Sequence, residues 1–308
     1  MIIVRRLVLS RLHFFFRSGF IGGVALLWIL LVSCSGDTSK KTTQQGVVDS
    51  NDLLAQIQKR GTIIVSTDPN YAPQSYVNED GKYAGFDIDV AQEIGQRLGV
   101  EVEFVTPDWD LIVAGNWSDR WEMSVGSVAI TKKRQQLLDF ATPPYYYTLA
   151  QFAATNNTGI ENMDQIAGQK VCVCTETVYE YWLSGEEERL GLPEDSVFAL
   201  PPSDVKIMPM KTDNECVQSI QSGREEFAIF LSSHTIVDAA IDNGVPIHKV
   251  GKPVFAEHLA VAFDKKGSKD NSQLVQRVSG IISGMRTDGT LTELSIQHFD
   301  GRDYTKRP

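Results

Sequence analysis

The chain has 308 residues, of which 42% are hydrophobic and 22% are charged, and its formal net charge is −10. These values are typical of a globular protein with room for one large domain or two ordinary ones, and they exclude a low-complexity chain. A chain this acidic is also a poor candidate for binding nucleic acid or an anionic membrane surface.

The first 34 residues have the layout of an export signal. Four arginines precede the apolar run GFIGGVALLWILLV at 19–32, and Ser33 and Cys34 follow it. The run is shorter than the roughly 20 residues that a membrane-spanning helix needs, which favours a signal peptide over an uncleaved anchor. Loss of the four arginines would change the formal net charge from −10 to −14.

The segment LVSC, which ends at Cys34, resembles a bacterial lipoprotein box. This resemblance implies cleavage before Cys34 and acylation of its sulfur, with palmitate as the expected acyl group. Residues 35–50, SGDTSKKTTQQGVVDS, would then form a polar, flexible tether between the lipid and the folded protein.

Three further cysteines would enter an oxidising compartment on export. Cys172 and Cys174 lie two positions apart in a strand-like run, so they share a face and cannot easily bridge each other. We expect one disulfide and one free thiol, with Cys216 paired to one of the two and Cys174 the preferred partner. A cysteine-only metal site is the alternative, but no histidine stands nearby in the sequence, so we expect no metal and no cofactor.

From residue 61 onward, strands and helices alternate. Short apolar or alternating runs predict strands over 61–68, 100–106, 123–130, 170–174, 206–210, 227–231 and 259–263. Helical periodicity predicts helices over 85–100, 214–223, 271–289 and 290–299. In the first helix, Asp89 is the expected N-cap and Gly99 the expected stop. This alternation predicts an α/β protein with mainly parallel sheets covered by helices.

Two lobes fit this pattern better than one continuous sheet. We expect lobe 1 to comprise 51–148 and 260–308, and lobe 2 to comprise 149–259. The stretches ATPPYYYT and GKPVFAEH are the expected crossings between the lobes. Ligands of such sheets bind beyond the carboxyl ends of the strands, so two lobes predict a shared cleft.

The stretch VGSVAITKKRQQ, 125–136, ends a predicted strand with small residues and runs into three cations. Thr131 is a good N-cap for a short helix over KKRQQLLDF, and Arg134 would stand in its first turn. A guanidinium there can hold a carboxylate with two parallel hydrogen bonds, whereas Lys132 and Lys133 are expected to be solvated.

Other strand ends carry side chains that suit a small ligand. The aromatic residues Tyr71 and Trp109 follow two predicted strands on the same edge as Arg134. Aromatic rings can pack against an aliphatic group or attract an ammonium. In the second half, Thr177 and Ser232 offer hydroxyl groups at the ends of two further strands.

Taken together, the motifs GTIIVSTDPNYAPQSY, DGKYAGFDIDVAQEIGQRLGV, AITKKRQQLLDFATPPYY and DGTLTELSIQHF occur in an order that resembles one family. The chain is similar, over roughly 55–305, to bacterial extracellular solute-binding proteins of the amino-acid type, the receptors of ABC importers. The resemblance implies a two-lobed α/β fold of the type II periplasmic-binding-protein kind, with the ligand between the lobes. It also implies a set of ligand-binding positions, namely Asp68, Tyr71, Trp109, Ser127, Ala129 and Arg134 in lobe 1, and Glu176, Thr177 and Ser232 in lobe 2.

Three of these positions depart from the family's pattern. Ala129 lacks the hydroxyl that many relatives carry there, Glu176 stands where relatives carry Gly, and Ser232 stands where they carry the Asp that takes the ligand's ammonium. A serine cannot neutralise a buried ammonium. The sequence therefore leaves three alternatives: Glu176 supplies the missing charge, Asp68 supplies it, or the ligand has no α-ammonium.

The sequence motifs and this resemblance predict a substrate receptor for an ABC importer. It would be a monomer at the periplasm or cell surface, lipid-anchored, binding an amino acid or related carboxylate, with a membrane permease as partner and no catalysis. One alternative is a periplasmic dehydratase on the same fold, with Glu176 as a general acid. Another is a sensor module that works with a separate signalling protein.

Overall fold

The structure is a computed structural model that describes residues 51–308. The predicted signal, the lipidation site at Cys34 and the tether lie outside the described residues. No helix in 51–308 combines the length and the apolar character that crossing a bilayer requires.

Nine helices and twelve strands occur within 51–308. The helices are α1 (Leu53–Arg60), α2 (Phe86–Leu98), α3 (Trp109–Val113), α4 (Val178–Ser184), α5 (Glu187–Leu190), α6 (Asp213–Gln221), α7 (His234–Asp242), α8 (Ser272–Thr287) and α9 (Thr290–His298). The strands are β1 (Thr62–Ser66), β2 (Asn70–Tyr71), β3 (Ser75–Val77), β4 (Tyr83–Ala84), β5 (Glu101–Val105), β6 (Met123–Ala129), β7 (Leu138–Phe140), β8 (Tyr146–Thr155), β9 (Lys170–Cys174), β10 (Lys206–Met210), β11 (Ile229–Ser233) and β12 (Ile247–Asp264).

Nine strands form one mixed sheet, and β2, β3 and β4 form a small second one. The order of the large sheet is β10-β9-β11-β8-β12-β6-β1-β5, with β7 also paired to β12. The pairs β1–β5, β1–β6, β9–β10 and β9–β11 are parallel, whereas β8 and β12 run antiparallel to their neighbours. The predicted α/β class is confirmed, but the two expected sheets are joined into one through the antiparallel strands β8 and β12 at its centre.

Strands β8 and β12 join the two lobes. The start of β12 pairs with the end of β8 at Ile247↔Thr155, and its end pairs with β6 and β7 of lobe 1. The predicted strand over 259–263 is therefore only the last part of an 18-residue strand. The predicted lobe limits, 148/149 and 259/260, fall inside these two strands, and the exact division stays a prediction.

Helix α2 shows how sequence periodicity builds lobe 1. Its residues Phe86, Val90, Ile94 and Leu98 recur at helical spacing and are all buried. Gly99 ends the helix in the left-handed conformation, as expected. The predicted cap was wrong, because the helix begins at Phe86 after Gly85 and Asp89 lies inside its first turn.

The predicted disulfide pairing was also wrong, because Cys216 bonds to Cys172, not to Cys174. Strand β10 ends beside Cys174, and the chain then reverses into α6, which runs back over the sheet. Cys216 lies one turn into α6 and so faces the middle of β9, with a Cα–Cα distance of 5.9 Å to Cys172. Cys174 at the end of β9 remains a free, buried thiol.

A buried polar cluster lies behind β6. The Asp87 carboxylate accepts hydrogen bonds from the Ser127 hydroxyl, at 2.7 Å, and the Tyr145 hydroxyl, at 2.8 Å. The Ser127 N–H donates to Tyr145 at 2.9 Å, and its hydroxyl also contacts that of Tyr146 at 2.5 Å. Ser127 has a φ of 56°, which non-glycine residues rarely adopt, so this cluster holds a strained backbone position.

Burial raises the pKa of Asp87 to about 7, against the opposing effect of its hydrogen bonds from Ser127 and Tyr145. Asp68 raises it slightly further, and His298 lowers it. Because the folded protein holds a proton on Asp87 that the unfolded chain would release, this group's contribution to stability falls as pH rises from about 4 to about 7.

We therefore expect Asp87→Asn to change the pH dependence of stability. Measured by urea unfolding at pH 5 and pH 8, the difference in unfolding free energy between the native protein and the variant should shrink by about 2–4 kcal/mol at the higher pH. The exposed Asp80→Asn is the matched control and should show a constant difference. A constant difference for Asp87→Asn as well would contradict a proton held on Asp87.

Candidate ligand-binding site

A cavity of about 40 Å³ lies between the two lobes, at the carboxyl ends of β1, β6 and β9. Its lining contains one guanidinium, three carboxyl groups, three aromatic rings and one thiol. The lining residues are Asp68, Tyr71, Trp109, Gly126, Ser127, Arg134, Cys174, Thr177, Val178, Tyr179, Asp213 and Glu257. Six of the nine predicted ligand residues are in this set, and Ala129, Glu176 and Ser232 are not.

Arg134 is 4% exposed and begins a short 3-10 helix over Arg134–Gln136. The predicted helix over KKRQQLLDF was too long, since β7 begins at Leu138. Thr131 does cap the turn, because its hydroxyl accepts from the Arg134 N–H at 3.0 Å. Lys132 and Lys133 are exposed, as expected.

The Arg134 guanidinium is held by carbonyl groups from both lobes. It donates to the Ala129 carbonyl at 3.1 Å and to the Glu176 carbonyl at 3.0 Å, and it lies 5.2 Å from the Trp109 ring centre. No carboxylate among the described side chains lies within ion-pair distance of it. Burial lowers the pKa of Arg134, so an anionic partner in the cavity would be favourable.

Glu176 takes part through its backbone and not through its carboxylate. Its carbonyl accepts from Arg134 and from the Trp109 indole N–H, the latter at 3.2 Å. Its carboxylate accepts instead from Arg189, at 2.5 Å, and from the Tyr181 hydroxyl, at 2.7 Å. Although partial burial raises the pKa of Glu176, these two hydrogen bonds hold it below its usual value.

Ser127 and Ala129 also act through their backbones. Ser127 reaches the cavity together with Gly126, while its hydroxyl is engaged by Asp87. Ala129 lies just beneath the cavity, where its carbonyl orients Arg134.

Ser232 lies behind the cavity wall and donates to the Asp213 carboxylate at 2.6 Å. Asp213, the first residue of α6, lines the cavity and is 6% exposed. Burial raises its pKa to about 7, while the hydrogen bond from Ser232 opposes the rise. Sequence reasoning missed this acid, although Asp213 follows the end of a predicted strand by three positions.

Glu257, near the middle of β12, is a second acid that sequence reasoning missed. It is 4% exposed and accepts from the Tyr179 hydroxyl at 2.6 Å and from the Thr148 hydroxyl at 2.8 Å. Burial raises its pKa, and the positive charge of Arg134 opposes this. From the sequence, its segment GKPVFAEH is predicted only to connect the two lobes.

Two other predicted residues close the cavity from lobe 1. Asp68 follows β1, and its carboxylate accepts from the Asn70 N–H at 2.7 Å. The Tyr71 hydroxyl donates across the cleft to Ser233 at 3.2 Å. Thr177, in lobe 2, is the N-cap of α4. Its hydroxyl donates to the Cys174 carbonyl at 2.6 Å, within the turn that precedes this helix.

Further hydrogen bonds join the lobes around the cavity. Gln74 donates to Thr235 at 2.6 Å, Asn214 donates to the Asn70 carbonyl at 2.7 Å, and the Lys132 N–H donates to the Gly191 carbonyl at 3.0 Å. The cavity is thus enclosed by direct contacts on several sides, and at about 40 Å³ it is smaller than a site that holds a small solute, so binding requires the lobes to move apart.

The free thiol of Cys174 faces this cavity and donates to the Lys211 carbonyl at 3.1 Å. Burial raises the pKa of this thiol, so it stays protonated and is a poor nucleophile.

Comparison with known proteins gives the same picture. The chain is 28% identical, over 291 residues, to the L-cystine-binding protein TcyJ of Escherichia coli K12, covering 93% of this chain and 98% of the relative. It is 25% identical to the structure of an ancestral arginine-binding protein bound to arginine, with a TM-score of 0.65 and coverage of 78% and 99%. It is 26% identical to the structure of an ancestral amino acid-binding protein that is a precursor of cyclohexadienyl dehydratase, with a TM-score of 0.66 and coverage of 80% and 99%.

The family model described as bacterial extracellular solute-binding proteins, family 3, matches residues 63–301. These limits take in both lobes and every residue that lines the cavity. The resemblance drawn from the sequence motifs is confirmed, and the chain belongs to the bacterial extracellular solute-binding proteins of family 3.

Proposed function

We propose that the protein is the solute receptor of an ABC importer and that it binds an α-amino acid between its lobes. One observation carries the proposal: the buried guanidinium of Arg134 faces an enclosed interlobe cavity and has no ion-pair partner among the described side chains. A charged group buried without a partner is costly, so a ligand anion is the natural counter-ion.

A carboxylate is the anion that fits best. Two carbonyls and the Trp109 ring fix the plane of the Arg134 guanidinium, so its fork is pre-organised for two parallel hydrogen bonds. The cystine-binding and arginine-binding relatives support an amino acid as the source of this carboxylate.

We assign the ligand's ammonium to Asp213. The sequence suggested Glu176 and Asp68 for this role. Glu176 is already paired with Arg189 and does not line the cavity, whereas Asp68 does line it and is the comparison in the test below. Asp213 lines the cavity and is bonded to Ser232, the residue that stands where relatives carry their acid. On this assignment the acid stands at the start of α6, and the serine that bonds to it stands on β11.

The proposed role is binding without catalysis. The dehydratase alternative would use Glu176 as a general acid, which requires a protonated carboxyl near neutral pH. The ion pair with Arg189 favours the ionised form of Glu176 and so argues against that role. We infer no covalent step at this site.

The cellular setting belongs to the same proposal. The export signal over 1–34, acylation at Cys34 and the tether over 35–50 would place the folded lobes as a monomer at a membrane surface, beside the permease that accepts the solute. A sensor role would need a separate signalling protein that recognises the same closed form.

We expect Arg134→Ala to abolish binding and Arg134→Lys to weaken it at least about tenfold, because a lysine supplies the charge but not the two-pronged geometry. Isothermal titration with a panel of L-amino acids measures both effects. Lys133→Ala, which changes the exposed neighbour, is the control and should bind normally. Full affinity in Arg134→Ala would exclude Arg134 as the carboxylate site.

We expect Asp213→Asn to weaken binding of an L-amino acid at least about tenfold, because a charge-assisted hydrogen bond to the ammonium is lost. Binding of the same ligand's deaminated analogue should change far less. Asp68→Asn is the comparison variant and should have the smaller effect. A larger loss in Asp68→Asn than in Asp213→Asn would move the ammonium site to Asp68.

A further inference from the structure

The cavity is lined by more carboxyl groups than a neutral amino acid can pair. Three carboxyl groups line it, those of Asp68, Asp213 and Glu257, against the single guanidinium of Arg134. A zwitterion would pair its carboxylate with Arg134 and its ammonium with Asp213. Glu257 would then have the charge of Arg134 nearby but no cation of the ligand in contact with it.

The hydrogen bonds that the Glu257 carboxyl group accepts come from neutral donors. The hydroxyls of Tyr179 and Thr148 both donate to the same oxygen, Oε2, and no cation among the described side chains forms an ion pair with it. Two donors fix the direction of the carboxyl group without neutralising it. This arrangement suits an acceptor whose counter-charge arrives with the ligand.

Asp213 and Glu257 come from separate elements of lobe 2, the start of α6 and the middle of β12. The rings of Tyr71 and Tyr179 and the side chain of Val178 also line the cavity. These apolar surfaces suit the methylene stem of a side chain that runs between two polar ends.

We propose, on the basis of the proposed function, that the ligand is a basic amino acid, with its α-ammonium on Asp213 and the cation of its side chain on Glu257. Such a ligand brings two positive charges and one negative charge into the cavity. Each positive charge meets a buried carboxylate, and the carboxylate meets Arg134. Burial raises the pKa of Asp213 to about 7, so a cation bound there favours its ionised form.

The test uses ligands that differ in charge but hardly in shape. L-arginine is compared with L-citrulline, and L-lysine with L-norleucine, by isothermal titration with the full chain at pH 7.5. We expect each cation to bind at least about tenfold more tightly than its neutral counterpart, as a charged hydrogen bond to a buried carboxylate predicts.

The variant Glu257→Gln sharpens the comparison, since an amide oxygen can still accept from Tyr179 and Thr148. It should weaken L-arginine binding at least about tenfold and change L-citrulline binding less than about threefold. The exposed Glu79→Gln is the matched control and should preserve the native ratio.

The outcomes separate the two proposals. Equal affinity for the charged and neutral members of both pairs would overturn the basic-ligand inference and leave the receptor function intact. An unchanged ratio of L-arginine to L-citrulline affinity in Glu257→Gln would overturn the role of Glu257. No binding of any amino acid would overturn the proposed function, and this inference with it.

Discussion

The architecture of the site depends on one buried cation held by backbone carbonyls. Arg134 bonds to Ala129 in its own lobe and to Glu176 across the cleft, so the same guanidinium that faces the cavity also joins the lobes. Neutral carbonyls orient the group without neutralising it. One contact between the lobes and the attraction for an anion are therefore properties of the same side chain.

The candidate site residues of lobe 1 could largely be predicted from the sequence. They follow strands whose apolar pattern is clear. Val65 and its apolar neighbours mark β1, and Asp68 and Tyr71 come directly after it. Thr131 and Arg134 follow the apolar strand β6 in the same way. Where a ligand residue follows a strong strand signal by a few positions, the position of the strand end fixes the position of the residue.

The candidate site residues of lobe 2 were harder to predict, because the acids Asp213 and Glu257 do not lie at the end of β11, where an acid was expected. Strand β11 begins at Ile229, two residues later than predicted, so Ser232 lies inside the strand and its hydroxyl points to Asp213. Glu257 lies in a strand that sequence reasoning took for a connection. Which acid faces a cavity is decided by how α6 and β12 pack against β11 and β8, and local sequence patterns do not contain that information.

The 18-residue strand β12 has a consequence for how this receptor can evolve. It forms part of the connection between the lobes, and it also places Glu257 at the cavity, beside Thr148 of β8, the other connecting strand. If Glu257 selects the solute, as proposed, selectivity at this end of the cavity is set on a strand that also connects the lobes. A substitution of Glu257 is then expected to alter the movement of the lobes together with the choice of solute.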